Sequence, residues 1–175
     1  MEINLPKKKF FYNCDGFYDV GWGCVYRCLQ NVIYFLLQRE DSILSIMKFL
    51  KIKYDPFIQT RQLWIEPIDC KFYLKEKYEI TSKLILYLPN DTIHMLRSKK
   101  TDFDQIYTKN DIISYLKDKA WCPIIIDDGT YSYMIYKIDE KNIHFLDPHR
   151  MNNNQLKMFS VETFLKRDWM ILLIE

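Results

Sequence analysis

The chain has 175 residues, 49% of them hydrophobic and 16% aromatic, with a formal net charge of +2. That length suits one domain with one core, read here as residues 1–175 with 1–9 as a polar lead-in. The composition excludes a disordered chain, and the near-neutral balance gives no reason to expect a nucleic-acid partner. The one early basic run, Lys7-Lys8-Lys9, reads as solvated surface.

Phe10-Phe11-Tyr12 reads as a short strand or extended arm, and Asn13-Cys14-Asp15-Gly16 as a turn. The stretch Asp19-Val20-Gly21-Trp22-Gly23-Cys24 then delivers a cysteine to the start of a helix. Val25, Cys28, Leu29, Val32, Ile33, Leu36 and Leu37 recur at helical spacing, so the helix runs from about Cys24 to Gln38. Arg27, Gln30, Asn31 and Tyr34 lie off that stripe. Asp41 or Ser42 caps a second helix over Ile43 to Leu50, which Tyr54-Asp55-Pro56 ends. A third helix begins near Thr60 or at Pro67 and continues to Tyr78.

Leu84 to Leu88 reads as a strand, and 92–107 is ambiguous. Asn110 or Asp111 caps a helix to Lys119. Cys122–Asp127, Tyr131–Ile138 and Ile143–Leu146, separated by turn residues, form a three-strand antiparallel meander. Ser160 caps a short helix through Leu165, and Trp169–Ile174 forms a last strand. Helices come early and strands late, so the fold class is α+β.

A cysteine at a helix start sits beside unpaired N–H groups and a partial positive charge, which favour thiolate and can bind an oxyanion. Gly21 and Gly23 permit tight backbone geometry and close approach of a substrate chain. A thiolate nucleophile wants a base. The three histidines are His94, His144 and His149. His94 has no partner in its local sequence, and His144 lies inside a strand, where a structural role fits. His149 follows Asp147-Pro148 at a strand end, so Asp147 can orient its ring while the other nitrogen faces the thiol. The residues leave a buried structural cysteine open as the alternative for Cys24. Zinc held by Cys24, Cys28, Asp147 and His149 is the chemical rival, but no CxxC pair exists and Cys28 belongs to the stripe; no metal or cofactor is expected. An odd count of five cysteines without a signal peptide points to free thiols in a reducing compartment.

Tyr12-Asn13-Cys14-Asp15-Gly16, the block Asp19 to Gln30 and Phe145-Leu146-Asp147-Pro148-His149 resemble the ubiquitin-fold-modifier-specific proteases, with weaker likeness at Arg61-Gln62-Leu63-Trp64-Ile65. The resemblance implies a papain-like cysteine protease fold, with the helix-start nucleophile packed against an antiparallel sheet. It implies Cys24 as nucleophile, His149 as base, Asp147 as its orienting group and Tyr12 as oxyanion donor. Trp22 and Gly23 would line a substrate slot for a C-terminal glycine. The implied substrate is a ubiquitin-fold modifier, as precursor or conjugate. The implied setting is cytoplasmic, with attachment to the endoplasmic reticulum through an adaptor. The alternatives are a catalytically weak modifier-binding protein, or a protease for ubiquitin or the autophagy modifier. Autophagy-related cysteine proteases share Gly-Trp-Gly-Cys and Asp-Pro-His, but Val25-Tyr26-Arg27 and the short chain favour the first group. The sequence departs from the family at Asp127-Asp128-Gly129, where a glycine run is usual, at Tyr133, where histidine is common, and at Arg150.

Overall fold

The computed structural model describes residues 1–55, 57, 62–89, 102–108, 111–151 and 155–175. His94, Arg61, the Thr60 helix start, the Asn110 cap and most of the ambiguous 92–107 segment lie outside the described residues.

The elements in chain order are α1 (Cys24–Leu37), α2 (Ile43–Phe49), α3 (Pro67–Tyr78), β1 (Ser82–Tyr87), β2 (Gln105–Tyr107), α4 (Asp111–Lys119), β3 (Ile124–Asp127), β4 (Ser132–Ile138), β5 (Asn142–Leu146), β6 (Leu156–Ser160), α5 (Val161–Leu165) and β7 (Trp169–Ile174). The strands form a seven-stranded sheet in the order β2-β1-β7-β3-β4-β5-β6. Every pairing is antiparallel except β1 with β2, which is parallel.

Local signals set most boundaries. The Ser42 side chain accepts from Ser45 N–H at the start of α2, and Ser160 accepts from Thr163 N–H at the start of α5. Pro67 occupies the first turn of α3, where its missing N–H costs nothing, and Glu66 with Asp69 completes a capping box. The third helix therefore starts at Pro67.

β3 and β7 are buried along their whole length. Successive residues serve opposite faces: Ile125 and Leu172 meet α1–α3, while Ile124, Ile126 and Ile171 meet α4 and α5. This is why both strands read as continuous apolar runs. β6 was not expected. It is an edge strand with Leu156 and Met158 exposed, so its apolar residues follow no inward pattern. The N-terminus is not simply a polar lead-in: Glu2 bridges Lys137, Ile3 is buried, and Ile3 N–H donates to the Tyr136 carbonyl at 2.8 Å.

Arg27, Gln30 and Asn31 of α1 are buried too, and the arm 10–23 bonds to Arg27 and Asn31. Asn31 Nδ2 donates to the Phe10 carbonyl at 2.8 Å, and its Oδ1 accepts from Phe10 N–H at 3.0 Å. Arg27, fully buried, donates Nε to Asp19 Oδ2 at 2.7 Å and a second nitrogen to Asp19 Oδ1 at 3.0 Å. It also forks onto Asp15 at 2.9 and 3.0 Å and reaches Gln30 at 3.0 Å. Asp19, also fully buried, additionally accepts from Asn13 N–H at 2.8 Å.

The two glycines before Cys24 have different reasons. Gly21 has φ +87°, a conformation side chains disfavour. Gly23 has an ordinary φ, but a Cβ there would stand 2.6 Å from Asp19 Cβ. Its place is fixed by close approach of the Asp19 side chain.

Two outcomes follow for stability. Asp19→Ala strands a buried guanidinium with only the half-exposed Asp15, and urea unfolding should show a loss of about 3–5 kcal/mol. Gly23→Ala should cost about 1–3 kcal/mol by overpacking against Asp19, read in the same urea unfolding experiment.

Candidate active site

Four elements converge on the Cys24 sulfur. α1 places Cys24 at its first residue, with Gly23 as N-cap and no side chain bonded to the exposed N–H groups. The loop after β5 supplies Asp147 and His149. The arm supplies Tyr12, whose N–H donates to the Pro148 carbonyl at 2.8 Å and so ties the arm to that loop. The hairpin between β3 and β4 supplies Asp127 and Ser132.

His149 Nδ1 lies 2.6 Å from Asp147 Oδ1, and the same oxygen accepts from the His149 backbone N–H at 3.0 Å. This contact leaves Nε2 as the nitrogen available to the Cys24 sulfur, with which the ring interacts. Burial works against a charged His149. The Asp147 hydrogen bond and the Cys24 sulfur outweigh it and hold the imidazolium up to about 9. Burial would raise Asp147, but the bonds from His149 win and its carboxyl stays below the usual range. Arg150 Nε stands 3.4 Å from its other oxygen.

Tyr12 is buried, and its hydroxyl interacts with the Cys24 sulfur. Burial first, and then the sulfur's charge, push this phenol far above the ordinary tyrosine value, so it keeps the proton it can donate. Its ring meets the His149 imidazole edge-on at 5.2 Å. Tyr131 and Tyr133 also pack edge-on against His149, at 5.2 and 5.6 Å. Tyr133, at the position of a common family histidine, thus walls the base.

A narrow cleft, open to solvent, runs beside Cys24. Trp22, Val25, Trp64, Ile65 and Glu66 line one side, and Asp127, Gly129 and Thr130 the other. Trp22 both lines the cleft and packs edge-on against Phe17 and Tyr26. Gly23 is not among the lining residues.

His144, expected to be structural, is held by Asp139 at 2.7 Å within β5. Cys28 is fully buried in the α1 stripe. Among the described residues no group of three or more His, Cys, Asp or Glu is arranged to hold a metal ion. No helix among them is long and apolar enough to cross a membrane.

The sequence reading missed Asp127 and Ser132 as site residues. The Cys24 sulfur bonds to Ser132 Oγ at 3.5 Å, and Ser132 Oγ donates to Asp127 Oδ2. Asp127 Oδ1 accepts from Gly129 N–H at 2.7 Å. Burial pushes the Asp127 carboxyl up to about 6, against the lowering effect of those bonds. The signal was a polar pair at the inner ends of two apolar runs: Asp127 and Ser132 face each other across the hairpin.

Comparison with known proteins accords with this geometry. A probable Ufm1-specific protease 1 of Drosophila melanogaster is 29% identical over 85 residues, covering 43% of this chain and 36% of that protein. A probable Ufm1-specific protease of Oryza sativa subsp. japonica is 25% identical over 164 residues, covering 85% of this chain and 23% of that protein. The chain therefore spans about a third or less of these relatives. The crystal structure of UfSP from C. elegans superposes with a TM-score of 0.59 at 16% identity, over 99% of this chain and 34% of that one. That likeness supports the papain-like α+β fold expected from the sequence. The model of peptidase family C78 matches residues 3–168, and the chain belongs to that family.

Proposed function

We propose that the chain is a thiol protease and isopeptidase that cleaves after the C-terminal glycine of a ubiquitin-fold modifier, the substrate named for its relatives. The observation that carries this is the meeting of the Cys24 sulfur, at a helix start, with an imidazole whose far nitrogen is held by Asp147.

In this mechanism the proton shared by Cys24 and His149 rests on the imidazole, and the thiolate attacks the carbonyl carbon of the modifier's terminal glycine. The oxyanion is held by the Tyr12 hydroxyl and the Cys24 N–H. His149 then donates its proton to the departing amine, the α-amine of a precursor tail or the ε-amine of a substrate lysine. A thioester remains on Cys24. Water, deprotonated by His149, attacks it and frees the glycine carboxylate and the thiol. Asp147 stays ionised and keeps Nε2 turned toward the sulfur. Trp22 and Trp64 beside Cys24 suit a residue without a side chain. The proposal includes cytoplasmic action, with any attachment to the endoplasmic reticulum made by an adaptor; family resemblance supports that part.

The test is a Ufm1-type modifier carrying a C-terminal fluorogenic amide, with electrophile-tipped Ufm1, ubiquitin and autophagy modifier alongside. Adduct formation at Cys24 with the Ufm1 probe alone is expected. Binding without reaction would make the chain a capture protein, and preference for another probe would reassign the substrate. Cys24→Ala should abolish cleavage. Tyr12→Phe should lower kcat by about 10²–10³, as for loss of one oxyanion donor, with KM little changed.

The pH profile follows from the thiolate–imidazolium pair. Because His149 stays protonated to about 9, kcat/KM should show an alkaline limb that falls near and above that value. Asp147→Asn removes the group that raises His149, so the alkaline limb should move to lower pH.

A further inference from the structure

A second carboxylate reaches the nucleophile by a route the proposed mechanism does not use. Ser132 is fully buried, and its one hydroxyl proton has two possible takers, the Asp127 carboxylate and the Cys24 sulfur. We propose that Ser132 is a positioning residue for Cys24, and that the proton on Asp127 decides which way the Ser132 hydroxyl donates. This rests on the proposed thiol chemistry of Cys24.

The two states follow from donor counting. With Asp127 ionised, it takes the Ser132 proton, and Ser132 Oγ can only accept. The thiol S–H fills that role, pointing its hydrogen at Ser132 and away from His149. A thiolate in the same place meets an oxygen lone pair and gains no donor. With Asp127 protonated, the acid donates to Ser132 Oγ. The Ser132 hydroxyl is released to donate to sulfur, which then favours the Cys24 thiolate and His149 imidazolium. No proton is lost between the two states apart from the one Asp127 exchanges with solvent along the cleft that it lines.

The surroundings allow that exchange near physiological pH. Asp128 in the same turn and Glu66 at the start of α3 both disfavour a charged Asp127. Cys28 on α1 and Cys70 on α3 lie within reach of its charge, and full burial holds both as thiols. The β7 partner, Met170, is apolar. Among the described residues no ion pair reaches Asp127; Arg167 instead approaches Asp128 at 3.4 Å. Buried with its charge uncompensated, Asp127 takes up a proton far more readily than Asp147, which has His149.

Iodoacetamide alkylation of Cys24, followed by peptide mass spectrometry, reads thiolate character without any modifier substrate. At pH 8, Asp127→Asn should alkylate about three- to tenfold faster than wild type, because a neutral group no longer claims the Ser132 proton. At pH 5 the two rates should converge to within about twofold, as wild-type Asp127 (about 6) is then protonated. In a Ser132→Ala background the Asp127→Asn gain should vanish. Ser132→Ala removes one oxygen and creates no clash, and Asp127→Asn keeps its shape, so two independent variants carry the test.

Equal rates for wild type and Asp127→Asn at pH 8 would overturn the proposal. So would a gain that persists without Ser132, since that would be a through-space charge effect. A failure of modifier cleavage with this alkylation pattern intact would count against the protease function and leave the Ser132 relay standing.

Discussion

The contact on which the site depends is the buried pair between Arg27 and Asp19. Neither side chain reaches water, and each is satisfied by several hydrogen bonds. The pair locks the arm 10–23 onto the second turn of α1. Three features then become fixed together: Tyr12 near the sulfur, Trp22 at the cleft wall, and Cys24 at the first turn of its helix. Gly23 is part of the same device, because Asp19 packs where a side chain would be. A hydrophobic replacement of the pair could keep the helix in place. It would not supply the acceptors that pin Asn13 N–H and hold the turn that leads from Tyr12 to Trp22.

Much of the fold could be read from the chain because its signals are local. The α1 stripe, the serine caps at Ser42 and Ser160, Pro67 in a first turn and the turn residues of the meander each act within a few positions. What escaped depends on distant partners. β6 is a strand because β5 offers it an edge, and residues 1–3 are ordered because β4 takes up their backbone. Arg27 and Asn31, off the α1 stripe, are buried where the arm bonds to them. The chemistry divides the same way. Cys24, Asp147 and His149 carry their chemistry in type and neighbourhood, whereas Ser132 becomes notable only once the β3–β4 hairpin stands over the start of α1.

Two carboxylates thus flank one sulfur through two intermediaries. Asp147 works through an imidazole and is kept ionised by the cation it orients. Asp127, in the proposed relay, works through a hydroxyl and, with no ion pair among the described residues, sits near the point of neutralisation. The same residue type takes opposite charge tendencies within one site because of what surrounds it.

The position of β7 in the sheet has a consequence for biosynthesis. β7 follows the other six strands in the chain, yet it lies between β1 and β3 and, among the described residues, is what bridges them. As the chain leaves the ribosome, the β1–β2 pair and the β3–β6 block form with their inner edges unpaired. Only when Trp169–Ile174 emerges can the two halves join and close the core beneath α1. The cysteine at the start of α1 is thus translated well before the strand that joins the two halves of the sheet beneath it.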